Sequence, residues 1–245
     1  MSAQDDVREN KIIDLFNLRR PPNYVRHGTD AVLHYQGHIL EFELKSVTTA
    51  GGSLSTVRDF GPDHIAKWKD KHWIVGIYSG VTLIRCLYGS PADMASWIEE
   101  KWNYIKADFE LAQQVPELIT PSVMYSILGE KAVYSAADAK RLHKAQYSSA
   151  RYKELMDLTE PGGKGKMKKV GYSPNRMLQI LKDRAKYVIE RGATLNNPHI
   201  PASYIANWKE ITEDHAIRLR EFVKAWVDAN QPQAHVPLQV QHDTP

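Results

Sequence analysis

The chain has 245 residues, 42% hydrophobic and 25% charged, with a formal net charge of +3 at pH 7. It is long enough to bury a sizeable core and too balanced in composition for a disordered or fibrous class. No apolar run is long enough to span a bilayer, the start MSAQDDVREN lacks the basic opening and apolar stretch of a signal peptide, and the single Cys86 excludes an internal disulfide. A cytoplasmic protein with no membrane partner is expected, with Cys86 a buried thiol rather than a nucleophile.

In chain order, Asp5 to Phe16 reads as a helix, with acids near its start, Ile12, Ile13, Leu15 and Phe16 at helical spacing, and Pro21-Pro22 beyond its end. The next stretch, GTDAVLHYQGHILEFELKS from Gly28 to Ser46, reads as a β-hairpin whose two-residue loop is Gln36-Gly37. That loop fixes the register: positions whose numbers sum to 73 face each other, pairing Tyr35 with His38, Leu33 with Leu40 and Asp30 with Glu43. The period of two then puts Leu40, Phe42 and Leu44 on a packing face, with Ile39, Glu41, Glu43 and Lys45 on a charged one. Two opposed carboxylates destabilise a hairpin unless one is protonated or a cation lies between them. A hard divalent cation is the natural solution, and Lys45 is placed to meet a phosphate oxygen or orient a water beside it.

Thr48 to Thr56 (TTAGGSLST) reads as a polar loop, and Pro62 begins a helix carrying Ile65, Trp68 and Lys69 at helical spacing. His64 and Lys67 on that helix could approach a substrate, although capping or packing is the plainer role for His64. Trp73 to Tyr78 and Leu83 to Tyr88 read as strands joined by Ser79-Gly80, and Met94, Trp97, Ile98, Trp102 and Ile105 mark one face of a long helix from Pro91 to about Gln114. Thr120-Pro121 restarts a short helix ending at Gly129, and Ser135 caps another, SAADAKRLHKAQ, where Lys140, Arg141 and Lys144 cluster. This pair has the outline of a helix-turn-helix, and a solvated basic face accounts for it equally.

The stretch from Gly162 to Gly171 interleaves glycine with Lys164, Lys166, Lys168 and Lys169, and reads as a mobile loop able to follow a phosphate backbone, with Tyr172 available to stack. Ser173-Pro174 starts a helix from Asn175 to Arg191 with Met177, Leu178, Leu181, Ala185, Val188 and Ile189 as its apolar stripe. The loop TLNNPHIPASYIANW offers Asn196, Asn197 or His199 to base edges, and a plain turn is the alternative. A last helix spans Thr212 to Ala229 with Ile217, Leu219, Phe222, Val223 and Trp226, before a Pro/Gln-rich flexible tail over 230–245. Charge is unevenly spread: from Lys131 to Lys153 six Lys or Arg stand against Asp138 alone, and from Pro161 to Arg191 nine against Asp183 and Glu190. Such an excess is the electrostatic footprint for a polyanion.

Thr29-Asp30 followed after twelve residues by Glu43-Leu44-Lys45 resembles the core of the PD-(D/E)xK nuclease superfamily, with Thr29 in place of the proline. The layout within that superfamily looks most like a type II restriction endonuclease. The resemblance implies an α/β fold, a restriction-endonuclease-like mixed central β-sheet flanked by helices with a helical C-terminal half. It divides the chain into a catalytic core over 1–115, a basic DNA-recognition region over 116–229 packed on it, and the tail. It also implies that Asp30, Glu43 and the Leu44 carbonyl hold Mg²⁺, that Lys45 positions water, and that Glu9, Glu41 and His64 are accessory candidates. The expected activity is hydrolysis of double-stranded DNA by a homodimer, leaving 5′-phosphate ends. Two alternatives remain: a structure-selective repair, junction or mobile-element nuclease with the same centre, and a non-catalytic DNA-binding regulator in which Asp30, Glu43 and Lys45 are solvated charges.

Overall fold

The computed structural model describes residues 3–22, 24–25, 28–49 and 53–230. The expected tail lies outside these apart from Asn230, as do residues 50–52 of the polar loop. The chain forms two compact units, one comprising Met1–Thr56, Asp63–Ile98 and Pro198–Pro245, the other Val57–Pro62 and Glu99–Asn197. The units therefore do not divide at residue 115: residues 99–115 go with the second, and the C-terminal stretch returns to the first.

The first unit is built on a five-stranded sheet in the order β1 (Ala31–Tyr35), β2 (His38–Thr48), β4 (His72–Ser79), β5 (Thr82–Gly89) and β9 (Lys209–Ile211). Only β2 and β4 run parallel, so the sheet is mixed, and the helix α2 (Pro62–Trp68) lies in the connection between them. The hairpin has the expected register, with Tyr35 opposite His38 and Leu33 opposite Leu40. Its loop residues Gln36 and Gly37 both have positive φ, 46° and 82°, the type I′ geometry whose twist matches that of paired strands. A short pair, β3 (Ser53–Leu54) with β8 (Ile200–Pro201), and the helix α8 (Ala202–Ile205) complete the loops of this unit.

On one sheet face Leu40, Phe42 and Leu44 join Leu33, Ile74 and Tyr88 in a core with α1 (Ala3–Phe16) and α9 (His215–Asn230), which contribute Ile12, Phe16, Leu219 and Val223. Each such side chain contributes roughly 1.5–3 kcal/mol when fully buried. Gly76 in mid-strand is required by this packing, since a Cβ there would come within 3.1 Å of Ile12 Cδ1 and 2.9 Å of the Tyr78 ring. His72 is buried in the same core, stacked on Phe42 and bonded through Nδ1 to the Tyr88 hydroxyl at 2.8 Å. On the opposite face Trp73 meets Trp68 of α2, which in turn meets Trp97 of α3 (Pro91–Gln114), at ring distances of 5.0 and 6.3 Å. This second layer makes the Glu43–Lys45 end of the charged side of β2 an interior one, while Ile39 and Glu41 remain exposed.

The second unit packs α4 (Pro121–Leu128), α5 (Ala136–Leu142), α6 (Ser149–Leu155) and α7 (Pro174–Ala193) around Met124, Leu128, Tyr134, Tyr152, Tyr172, Met177 and Leu181. A single 3₁₀ turn, Val115–Leu118, follows α3 at Pro116. Ser135 caps α5 in a reciprocal box with Asp138, which Lys131 supports at 2.7 Å. The helix ends at Leu142, earlier than expected, because Lys144 and Ala145 take positive φ of 52° and 53°.

The glycine-lysine segment is not a loop throughout. It is an antiparallel hairpin, β6 (Leu158–Pro161) with β7 (Met167–Gly171), turning at Gly163–Gly165, and local pairing absorbs backbone groups that the glycine content suggested were free. Tyr172 is corrected as well: it is fully buried, with its hydroxyl donated to the Tyr152 carbonyl at 2.7 Å, so it has no face to offer a base. Val188 on α7 and Ile217 on α9 are exposed, because each helix turns its stripe slightly from the expected face. Strand β9 was not foreseen; three residues after Trp208 are too few for a periodic signal.

Candidate active site

The hairpin brings its charges together on the face covered by α2. Asp30 stands one residue before β1 and accepts a hydrogen bond through Oδ2 from the Leu44 N–H at 2.8 Å, so the carboxylate is tied to the strand that carries Glu43 and Lys45. Glu43 is 1% exposed, and its Oε1 accepts from Lys45 Nζ at 2.7 Å. Lys45 lies over the Trp68 ring, 5.9 Å from its centroid. A second cation comes from α2: Lys67 Nζ is 3.1 Å from Glu43 Oε2, although that buried oxygen receives no aligned hydrogen bond.

These neighbours set the charge states. Burial first, and the Glu43 carboxylate second, push Asp30 up to about 6, against the opposing pull of Lys45, Lys67 and the Leu44 amide. Burial also works against ionised Glu43, but Lys45 and Lys67 outweigh it and hold its carboxyl below the usual range. For Lys45, burial opposes the charge while Glu43 and Asp30 restore it, and the ammonium ends above its ordinary value. The cluster thus holds one firmly ionised carboxylate, one reluctant carboxylate and a firmly charged lysine.

The accessory candidates fall in different places. Glu9 pairs with Arg20, which also reaches the Asp30 carbonyl at 3.3 Å and Asn10 at 2.9 Å. Glu9 lines a cavity of about 220 Å³ together with Leu44, Lys45 and Ser46, so it borders the cluster from the α1 side. Glu41 points elsewhere, accepting from Thr29 at 2.9 Å and pairing with the buried Lys71 at 3.2 Å. Lys71 also donates to Thr29 at 2.6 Å, and burial, only partly offset by Glu41, lowers its pKa. His64 packs edge-on to Trp68 and lines an open cleft of about 520 Å³ with Thr29, Glu41, Lys67 and Lys71. Sequence reasoning passed over Arg20 and Lys71 and did not connect Lys67 with Glu43; such pairings depend on how α1 and α2 are laid against the sheet.

In the second unit Lys140, Arg141 and Lys144 are exposed, but only the first two lie on α5. Lys164, Lys166, Lys168 and Lys169 are all exposed on the β6–β7 hairpin, where Lys168 lies 3.6 Å from Glu160 and Lys169 donates to the Glu154 carbonyl at 2.7 Å. Asn196 is exposed, whereas Asn197 is half-buried, takes a φ of 54° and donates its N–H to the Val57 carbonyl at 2.9 Å.

The donor set suits a hard divalent cation. Asp30 and Glu43 supply oxygens, and a buried Glu43 oxygen without an aligned donor is a place for positive charge. Among the described residues no group of three or more His, Cys, Asp or Glu forms a self-sufficient metal cage. A two-carboxylate site leaves positions for water and substrate, as Mg²⁺ sites commonly do. No helix among the described residues is long and apolar enough to cross a membrane.

No curated protein matches the chain. Residues 6–116 match the family model Restriction endonuclease PvuII, a stretch that contains Asp30, Glu43, Lys45 and Lys67. With the mixed five-stranded sheet flanked by helices, the chain has a restriction-endonuclease-like α/β fold, and over those residues it is similar to that family.

Proposed function

We propose that the chain is a Mg²⁺-dependent, sequence-specific endonuclease of the PD-(D/E)xK kind that cuts double-stranded DNA as a type II restriction enzyme. The observation that carries this reading is the convergence of Asp30, Glu43 and Lys45 on one buried patch, with Asp30 bonded to the Leu44 amide and Lys45 to Glu43. Asp30 and Glu43, aided by the Leu44 carbonyl, would hold Mg²⁺, which when bound lowers the pKa of water and offsets charge at the leaving oxygen. Lys45 keeps its proton at Nζ and orients the attacking water or a phosphate oxygen through hydrogen bonds. The Trp68 face and the surrounding burial limit the positions open to that ammonium, which favours one approach to phosphorus. Water adds to phosphorus, the P–O3′ bond breaks, and the products are a 5′-phosphate and a 3′-hydroxyl.

The basic surface of region 116–229 would contact the DNA backbone, through Lys140, Arg141 and Lys144 and through the four hairpin lysines, while Asn196 and Asn197 are the candidates for base edges. A homodimer would cut both strands of a palindrome, its two-fold axis matching that of the site. The test is incubation of the purified protein with a large phage DNA, in Mg²⁺ and in EDTA, followed by sequencing of fragment ends. Discrete Mg²⁺-dependent fragments with a shared terminal sequence are expected. Structure-dependent nicks would indicate a repair or junction nuclease, and intact DNA in every divalent metal a binding protein.

A further inference from the structure

Glu43 carries two ammonium groups that are held differently. Lys45 is anchored, hydrogen-bonded to Oε1 at 2.7 Å and seated over Trp68. Lys67, in the last turn of α2, is 3.1 Å from Oε2 without an aligned hydrogen bond, and it borders the open cleft of about 520 Å³. Its side chain is no more exposed than that of Lys45, but of the two it is the one on that cleft, which gives it room to leave Glu43 without unpacking α2, whose apolar anchor is Trp68. The patch is balanced as it stands: two carboxylates, Asp30 and Glu43, face two cations. A divalent ion bound to Glu43 would add two charges beside an ammonium already at the same oxygen.

On the reading of Asp30 and Glu43 as metal ligands, we propose that Lys67 is a placeholder cation, which neutralises Glu43 in the metal-free chain and must withdraw from Oε2 before a divalent ion can bind. Lys67 then opposes metal binding, the reverse of what a lysine that merely props up the site does. Removing a like charge at this distance should strengthen divalent-cation binding on the order of tenfold.

The experiment is calorimetric titration of the full chain with Ca²⁺, without DNA, for the wild type, Lys67→Met, Lys67→Arg and Asp30→Asn, each checked for folding by circular dichroism. Lys67→Met should bind Ca²⁺ on the order of tenfold more tightly than wild type, Lys67→Arg should stay within about twofold, and Asp30→Asn should bind far more weakly. Lys67→Gln serves if the methionine variant does not fold. If Lys67→Met and Lys67→Gln bind Ca²⁺ no better than wild type while Asp30→Asn still abolishes binding, the placeholder role is wrong and the site assignment stands. If the wild type binds no Ca²⁺, or Asp30→Asn binds like wild type, the site assignment fails and the placeholder role with it.

Discussion

Lys45 and Lys168 are both lysines on β-strands beside a glutamate, yet the two places work by opposite physics. Lys45 is mostly buried and bonded at 2.7 Å to a glutamate that is itself buried, whereas Lys168 is 72% exposed and 3.6 Å from an exposed glutamate. In the first setting solvent screens little, and each charge sets the protonation of its neighbours. In the second, water and salt screen each charge, the lysines act almost independently, and their use lies in their number. The hairpin patch can therefore hold a reacting centre, while the β6–β7 lysines can supply affinity.

The sharpest way to break this contrast is truncation. Asp30→Ala or Glu43→Ala should lower DNA cleavage on the order of a thousandfold or more while leaving DNA binding in Ca²⁺ measurable by gel shift. Normal cleavage by Asp30→Ala would remove the hairpin from the active site.

Stability sharpens it next. Asp30 has a higher pKa folded, about 6, than its ordinary 3.8, so the native state binds the proton more tightly and stability falls as pH rises between these values. The deficit is complete above pH 6 and absent below about 3.8, and Asp30→Asn should relieve it. Urea denaturation in EDTA at pH 8 should show the variant more stable by about 3 kcal/mol, with the gain gone in acid. A variant no more stable at pH 8 would mean the carboxylate is better solvated than its burial indicates.

His72 shows burial acting without a charged partner. Burial pushes it down to about 4 from 6.5, so the unfolded chain takes up a proton in that window and the native chain does not. Stability should decline by about 3 kcal/mol as pH falls from 6.5 to 4, and His72→Gln should flatten that part of the profile. Because Asp30 contributes the opposite slope over much of this range, the His72 share is read cleanly in the Asp30→Asn background.

The exposed side is predicted to respond in smaller, additive steps. Replacing Lys164, Lys166, Lys168 and Lys169 together by Gln should weaken binding to duplex DNA of any sequence and reduce the slope of log affinity against log salt by roughly 0.9 for each phosphate no longer neutralised. An unchanged slope would take the hairpin out of the interface. Lys140→Gln alone should reduce that slope by less than about 1 and leave any sequence preference intact.

The hairpin was legible because its determinants are local. Gln36-Gly37 sets the turn, the period of two sets the faces, and together they place Leu33 opposite Leu40 before any packing is known. The helices α1, α3 and α7 were legible from spacing and from prolines at their starts or ends, with boundaries shifting by a few residues. The second hairpin was missed because its strands are only four and five residues long and its lysines face solvent, leaving no apolar alternation to read.

The sequence by itself determined the order of the main elements in the first hundred residues, the short β3 excepted, the register that brings Asp30 toward Glu43, and the lysine two residues further on. Only the tertiary structure decided which of those charges are buried, since that depends on Trp68, backed by Trp97, lying against Lys45 of β2. It decided equally that Glu43 meets Lys67 across 24 residues of chain and that Tyr172 belongs to a core rather than a surface. Secondary structure follows from neighbours along the chain, whereas desolvation follows from whatever the rest of the fold lays on top, and no local pattern carries that information.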